Sequence, residues 1–142
     1  MTALLMLLLL WAPPPPSSLD QVKADPNPEH RAHAAIEYAA VAEKNAEMAF
    51  AKGDTNALSA ALKEVAESFD IAEESFVASR KTPGRNPGPY KYAEVHSREL
   101  LIRLGDLEQR LDPSEQGLIE RVKAKVQKIH DVWFEGIMER AR

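Results

Sequence analysis

Apolar residues recur at spacings of three and four positions through most of the chain, which is the period of an amphipathic α-helix. Four such stripes can be traced, and prolines or glycines separate them. The stripes predict helices over about 28–52, 55–80, 89–111 and 113–140. No run of alternating apolar and polar residues predicts a strand, so the sequence indicates an all-α fold.

The first two stripes differ in the size of their side chains. The first comprises Ala32, Ala35, Ala39, Ala42, Ala46 and Ala49, and the second comprises Leu58, Leu62, Val65, Phe69, Ala72 and Phe76. An alanine seam lets a partner helix approach closely, and the larger side chains of the second helix can fill the space. Gly53 suits the left-handed residue after a helix, and Asp54 suits the N-cap of the next. We therefore expect the two helices to be antiparallel neighbours.

The last two stripes predict a second helical hairpin. They comprise Ala93, Ser97, Leu100, Leu104, Leu107 and Leu111, followed by Ile119, Val122, Val126, Ile129, Trp133 and Ile137. Asp112 and Pro113 mark a short turn between these helices. Gly105 lies in the middle of the third helix, where it costs about 1 kcal/mol relative to alanine and can mark a close approach. Two long antiparallel hairpins predict an up-down-up-down four-helix bundle, and stacked solenoid-like hairpins are the alternative.

The beginning of the chain has a different character from the rest. Residues 1–12 form an apolar run that is shorter than the roughly 20 residues needed to span a bilayer, and Pro13–Pro16 end it. We interpret residues 1–24 as a signal peptide with a proline-rich leader, and residues 25–142 as a single helical-bundle domain. This predicts an exported protein, periplasmic or secreted, without a transmembrane anchor in the mature chain. A mis-called start codon, which would leave the protein in the cytoplasm, is the alternative.

Composition excludes several classes of function. The 142-residue chain has no cysteine, which excludes disulfide scaffolds, cysteine-ligated zinc, iron–sulfur clusters and thiol nucleophiles. A calculated pI near 5.6 argues against a dedicated nucleic-acid-binding protein. The sequence has no nucleophile-elbow motif and no glycine-rich phosphate loop. We therefore expect a non-catalytic protein without a cofactor.

The segment between the two predicted hairpins is the most unusual part of the chain. Residues 75–93 contain no acidic residue, and their four basic residues leave a charge of −8 on the rest of the chain, against −4 for the whole. Prolines, glycines and tyrosines are interspersed among these charges. Basic groups with neighbouring aromatic rings can bind anionic or polymeric partners. The simpler interpretation is a solvated linker. The candidate contact residues are Arg80, Lys81, Arg85, Tyr90, Lys91 and Tyr92.

These observations favour an exported helical bundle that acts through protein–protein or protein–polymer contacts in the cell envelope, with 80–92 as the contact segment. The alternative is a bundle that binds a small ligand or a metal ion. His30, His33 and Glu37 share one helical face at a spacing that is compatible with zinc, but no fourth ligand is evident and an exposed polar face is the favoured interpretation.

Overall fold

The computed structural model describes residues 13–140, so the apolar run of the predicted signal peptide, 1–12, lies outside the described residues. The described chain is all-helical and has no strand. Its five helices are α1 (Leu19–Lys23), α2 (Pro28–Ala51), α3 (Thr55–Ser79), α4 (Pro87–Arg110) and α5 (Gln116–Arg140). The all-α fold class predicted from the sequence is therefore confirmed.

The ends of the long helices follow local capping chemistry. The Asn27 side chain accepts hydrogen bonds from the first backbone N–H groups of α2, and Asp54 accepts one from Ala57 at the start of α3. Gly53 has φ +69°, the left-handed conformation that glycine adopts without strain. Helix α5 starts at Gln116, later than predicted, because residues 113–115 form a turn in which the Glu115 amide donates to the Asp112 carbonyl at 2.8 Å.

Helix α1 is an addition to the four predicted helices. Ser18 caps it, and its two apolar side chains, Leu19 and Val22, are buried. Lys23 at its end forms an ion pair with Glu67 of α3, with 2.7 Å between Nζ and Oε1. The helix is too short to show a hydrophobic period, which is why the stripe pattern does not reveal it.

The predicted stripes form the core. Every alanine of the α2 seam is buried, as are the six stripe residues of α3 and those of α4. Along α5 the stripe is buried as far as Trp133, and Ile137 is partly buried against the core. Helix α2 packs on α3 and on α4, and α5 packs on α3 and on α4. This arrangement is a helical bundle, and it brings the α3–α4 connection to one end.

Candidate interaction surface at the α3–α4 connection

The backbone of the α3–α4 connection is held in place by hydrogen bonds. Helix α3 ends at Ser79, and its C-cap residue Arg80 has a φ of 58°, which is left-handed and uncommon for a residue with a side chain. The Ser79 hydroxyl donates to the Phe76 carbonyl at 2.6 Å and accepts from the Lys81 amide at 3.2 Å. The Tyr90 hydroxyl donates to the Lys81 carbonyl at 2.8 Å. The connection is therefore a defined structure despite its prolines and glycines.

The connection also packs against α5 through Pro83. An added Cβ at Gly136 would lie 2.7 Å from Cγ of the Pro83 ring, closer than real Cβ atoms approach a neighbour. Only glycine at position 136 therefore allows Pro83 to rest on the helix in this position. By contrast, an added Cβ at Gly105 would meet nothing closer than the Lys123 ammonium at 3.8 Å, so no close approach requires that glycine.

The four basic residues of the predicted patch, three in the connection and Lys91 in the first turns of α4, have two different environments. Lys81 is half-buried, and its Nζ forms an ion pair with the Glu29 carboxylate at the start of α2. Arg80, Arg85 and Lys91 are exposed, and within residues 13–140 none of the three forms an ion pair. The predicted basic patch therefore presents three available cations, while the fourth ties the connection to α2.

The two tyrosines of the predicted patch face inward. Tyr90 is 5% exposed and its ring stacks on Phe76, with 4.2 Å between ring centroids. Tyr92 is half-buried between the rings of His33 and His96, at 4.1 and 4.0 Å. Burial raises the pKa of both phenols, so both stay protonated at neutral pH. The two tyrosines therefore pack beneath the connection, and the basic side chains form the exposed part of the predicted patch.

An apolar groove lies beside the connection, between α3 and α5. It has a volume of about 480 Å³ and includes Val77, Pro83, Val132 and Trp133 in its lining. Periodicity in the sequence does not reveal it, because Val77 and Val132 lie off the core stripes of their helices. Their proximity depends on how α3 packs on α5.

Three of the four histidines, His33, His96 and His130, lie beside carboxylates, and within the described residues His30 has no such contact. His33 Nε2 lies 2.7 Å from Glu37 Oε1, and the largely buried His130 lies between Glu94 of α4, at 3.2 Å, and the adjacent Asp131, at 3.0 Å. Within residues 13–140, no three histidine, aspartate or glutamate side chains are grouped as metal ligands are. The apolar cavity beside His33 holds about 160 Å³, which is small for an organic ligand.

One carboxylate is buried in the interface of α2 with α4. Glu43 is 1% exposed, its Oε1 has no hydrogen-bond partner, and its Oε2 lies 3.6 Å from Nε of Arg103. Burial, together with the neighbouring Glu47 carboxylate, raises the pKa of Glu43 to about 7, against the opposing effect of Arg103 and Lys44. Hydrophobic periodicity does not predict this site, because Glu43 lies beside the alanine seam, at a position where a polar residue is expected to face solvent.

Comparisons of the chain with protein-family models, with curated proteins and with solved structures find no match. Among the helices that the structure describes, none is both long enough and apolar enough to cross a bilayer.

Proposed function

We propose that this protein is a non-catalytic helical-bundle domain that binds a protein or an envelope polymer carrying anionic groups, through residues 80–92, which comprise the α3–α4 connection and the first turns of α4. The observation that carries this proposal is the set of three exposed cations, Arg80, Arg85 and Lys91, on a backbone that the bundle holds in place. A fixed backbone loses little conformational entropy when a partner binds, so charged side chains on it contribute more to affinity.

The remaining charge of the chain makes this patch distinctive. The residues outside 75–93 carry a net charge of −8, so they repel an anionic partner rather than bind it elsewhere. Other lysines, such as Lys23, Lys123 and Lys125, pair with carboxylates of neighbouring helices. Three other exposed cations that form no ion pair within the part of the chain that the structure describes, Lys52, Lys63 and Arg121, each lie within two residues of an acidic residue, whereas residues 75–93 contain none.

Binding to heparin and to poly-glutamate, measured by isothermal titration calorimetry at low and at moderate salt, tests the proposal. Heparin represents an anionic polymer and poly-glutamate an acidic protein segment, so their relative affinities distinguish the two kinds of partner. The variant Arg80→Gln/Arg85→Gln/Lys91→Gln should bind the preferred probe at least about tenfold more weakly. More salt should weaken binding by the unmodified chain.

A matched control removes three exposed, unpaired cations elsewhere in the bundle. The variant Lys52→Gln/Lys63→Gln/Arg121→Gln changes the net charge by the same amount and should retain most of the affinity. Equal loss in the two variants would mean that only net charge matters. Absence of binding of either probe by the unmodified chain would overturn the proposal.

We also propose that the protein is exported and that its signal peptide ends before Leu19. Removal of residues 1–24 would delete α1, with the buried side chains of Leu19 and Val22 and the ion pair of Lys23 with Glu67. A mature chain that retains α1 keeps these contacts. Intact-mass measurement of the protein from its native cells should give an amino terminus upstream of Leu19. An intact Met1 in a cytoplasmic fraction would contradict export.

For the bundle itself we propose the stack of two hairpins, which is the solenoid-like alternative. Helix α2 packs beside α4 and α3 beside α5, whereas an up-down-up-down bundle would place the consecutive helices α3 and α4 side by side. The order of contacting residues supports antiparallel hairpins α2–α3 and α4–α5, with α2 parallel to α4. Nuclear Overhauser contacts between the rings of His33 in α2 and Tyr92 in α4 are expected in this stack. Their absence would contradict it, because an up-down-up-down bundle places the first and third long helices diagonally opposite each other. The supporting pairs are Arg31 with Ser75, Tyr38 with Glu64, His33 with Tyr92, Glu47 with Arg110, and Glu94 with His130.

A further inference from the structure

Two exposed valines face the same groove beside the connection. Val77 of α3 is 75% exposed and Val132 of α5 is 58% exposed, and both line the groove of about 480 Å³. Valine is a poor residue for an exposed helix position, because it restricts its own side chain and gains no burial there. Single exposed apolar residues are ordinary, but two that share a groove form a surface that a partner could cover.

The floor of this groove is rigid. Trp133 is 3% exposed and packs edge-on against Phe76, with 5.4 Å between ring centroids, while Tyr90 stacks on the same phenylalanine. Pro83, held against Gly136, is part of the lining. A groove with a fixed apolar floor needs little rearrangement to accept an apolar side chain.

Two carboxylates, Glu73 and Glu74, also line the groove. Both are exposed, and within the described residues neither forms an ion pair. Nearby acidic residues of the same helix are paired, Glu67 with Lys23 and Asp70 with Lys125. The negative charge at the groove is therefore available to a partner.

We propose that this groove binds a basic amphipathic segment of a partner protein, with an apolar side chain between Val77 and Val132 and a lysine or arginine near Glu73 and Glu74. Charge complementarity identifies the occupant, since an apolar groove beside two carboxylates without an ion pair in the described chain matches a helix that carries apolar and cationic residues at neighbouring positions. The site differs from the basic connection in its charge preference and in the residues it uses, so it goes beyond the function proposed above.

Fluorescence of Trp133 reports on the groove in the full chain once the second tryptophan is replaced by Trp11→Phe. The probes are two designed peptides of equal length and helical period, one built of leucine and lysine and the other of leucine and glutamate. The leucine–lysine peptide should change the Trp133 emission saturably, and the leucine–glutamate peptide should bind at least about tenfold more weakly.

Two double variants separate the apolar and the charged contributions. Val77→Ser/Val132→Ser should weaken binding of the leucine–lysine peptide at least about tenfold, because the apolar contact is lost. Glu73→Gln/Glu74→Gln should weaken it about fivefold at low salt and less at high salt. The control Val95→Ser/Ile102→Ser, which removes exposed apolar residues from α4, should bind like the unmodified chain. Circular dichroism verifies that each variant is folded.

Three results would overturn this proposal: no saturable binding of the leucine–lysine peptide, equal binding of both peptides, or equal loss in the groove and control variants. Neither groove variant should weaken heparin binding. A failure at the groove can therefore be distinguished from a failure of the function proposed for the basic connection.

Discussion

Glu43 is expected to make the stability of the bundle depend on pH in the neutral range. Its carboxyl group is buried between α2 and α4, and its pKa is raised from 4.5 to about 7. The charged groups that act on it are Glu47 and Lys44 on its own helix and Arg103 on α4. Arg103 is too distant for a hydrogen bond, so ionised Glu43 is poorly compensated.

The sign follows from the raised pKa. The folded chain holds the carboxyl proton of Glu43 more tightly than the unfolded chain does. Protonated Glu43 therefore contributes its full stabilisation below about pH 4.5, and this stabilisation is lost as the pH rises through about 7. A difference of about 2.5 units between the two pKa values, at about 1.4 kcal/mol per unit, corresponds to about 3 kcal/mol. The unfolding free energy should fall by this amount, through Glu43 alone, from about pH 4 to about pH 8.

Urea unfolding followed by circular dichroism, at several pH values across this range, measures the effect. The variant Glu43→Gln cannot ionise, so its stability relative to the unmodified chain should improve by about 3 kcal/mol as the pH rises. The exposed Glu120→Gln serves as the control and should show no such trend. If the difference in unfolding free energy between Glu43→Gln and the unmodified chain stayed constant with pH, the pKa of Glu43 would not be raised by folding.

Two further substitutions test packing around the connection and at the amino-terminal end. Gly136→Ala should lower the unfolding free energy by about 1 kcal/mol, because displacing Pro83 costs more than the gain in helix propensity. The control Gly105→Ala should raise the unfolding free energy by about 1 kcal/mol, since no close contact opposes the added methyl group. Equal stabilisation by both substitutions would contradict the close contact of Pro83 with Gly136. Val22→Ala should lower the unfolding free energy by about 2 kcal/mol, because the Val22 side chain of α1 is buried. Chemical unfolding measures this loss, and the exposed Val95→Ala should change the unfolding free energy little.

The long helices could be predicted because their information is local. The alanine seam of α2 and the large residues of α3 recur at the helical period, and Gly53 and Asp54 have the residue types that a short turn requires. The basic segment could be located for the same reason, since an acid-free stretch is visible in the sequence itself. The pairing of its cations could not be predicted. Lys81 forms an ion pair with Glu29, which is distant in the sequence and comes close only in the folded chain.

The groove and the contact of Pro83 with Gly136 could not be predicted, because both depend on the packing of α3, the connection and α5. Gly105 and Gly136 are both glycines inside predicted helices, and only the fold distinguishes the one that touches Pro83. The sequence pattern likewise predicts that Val77 and Val132 are isolated exposed residues, and only the packing of α3 beside α5 brings them to one groove. Their shared groove is a tertiary property that no hydrophobic period encodes.

Nuclear magnetic resonance mapping of a heparin oligosaccharide on the ¹⁵N-labelled chain locates the anion-binding surface directly. We expect the largest amide shifts to fall within residues 79–92, and we expect the variant Arg80→Gln/Arg85→Gln/Lys91→Gln to abolish them. Shifts centred on another part of the bundle, or spread evenly over its surface, would contradict the assignment of the α3–α4 connection as the binding surface.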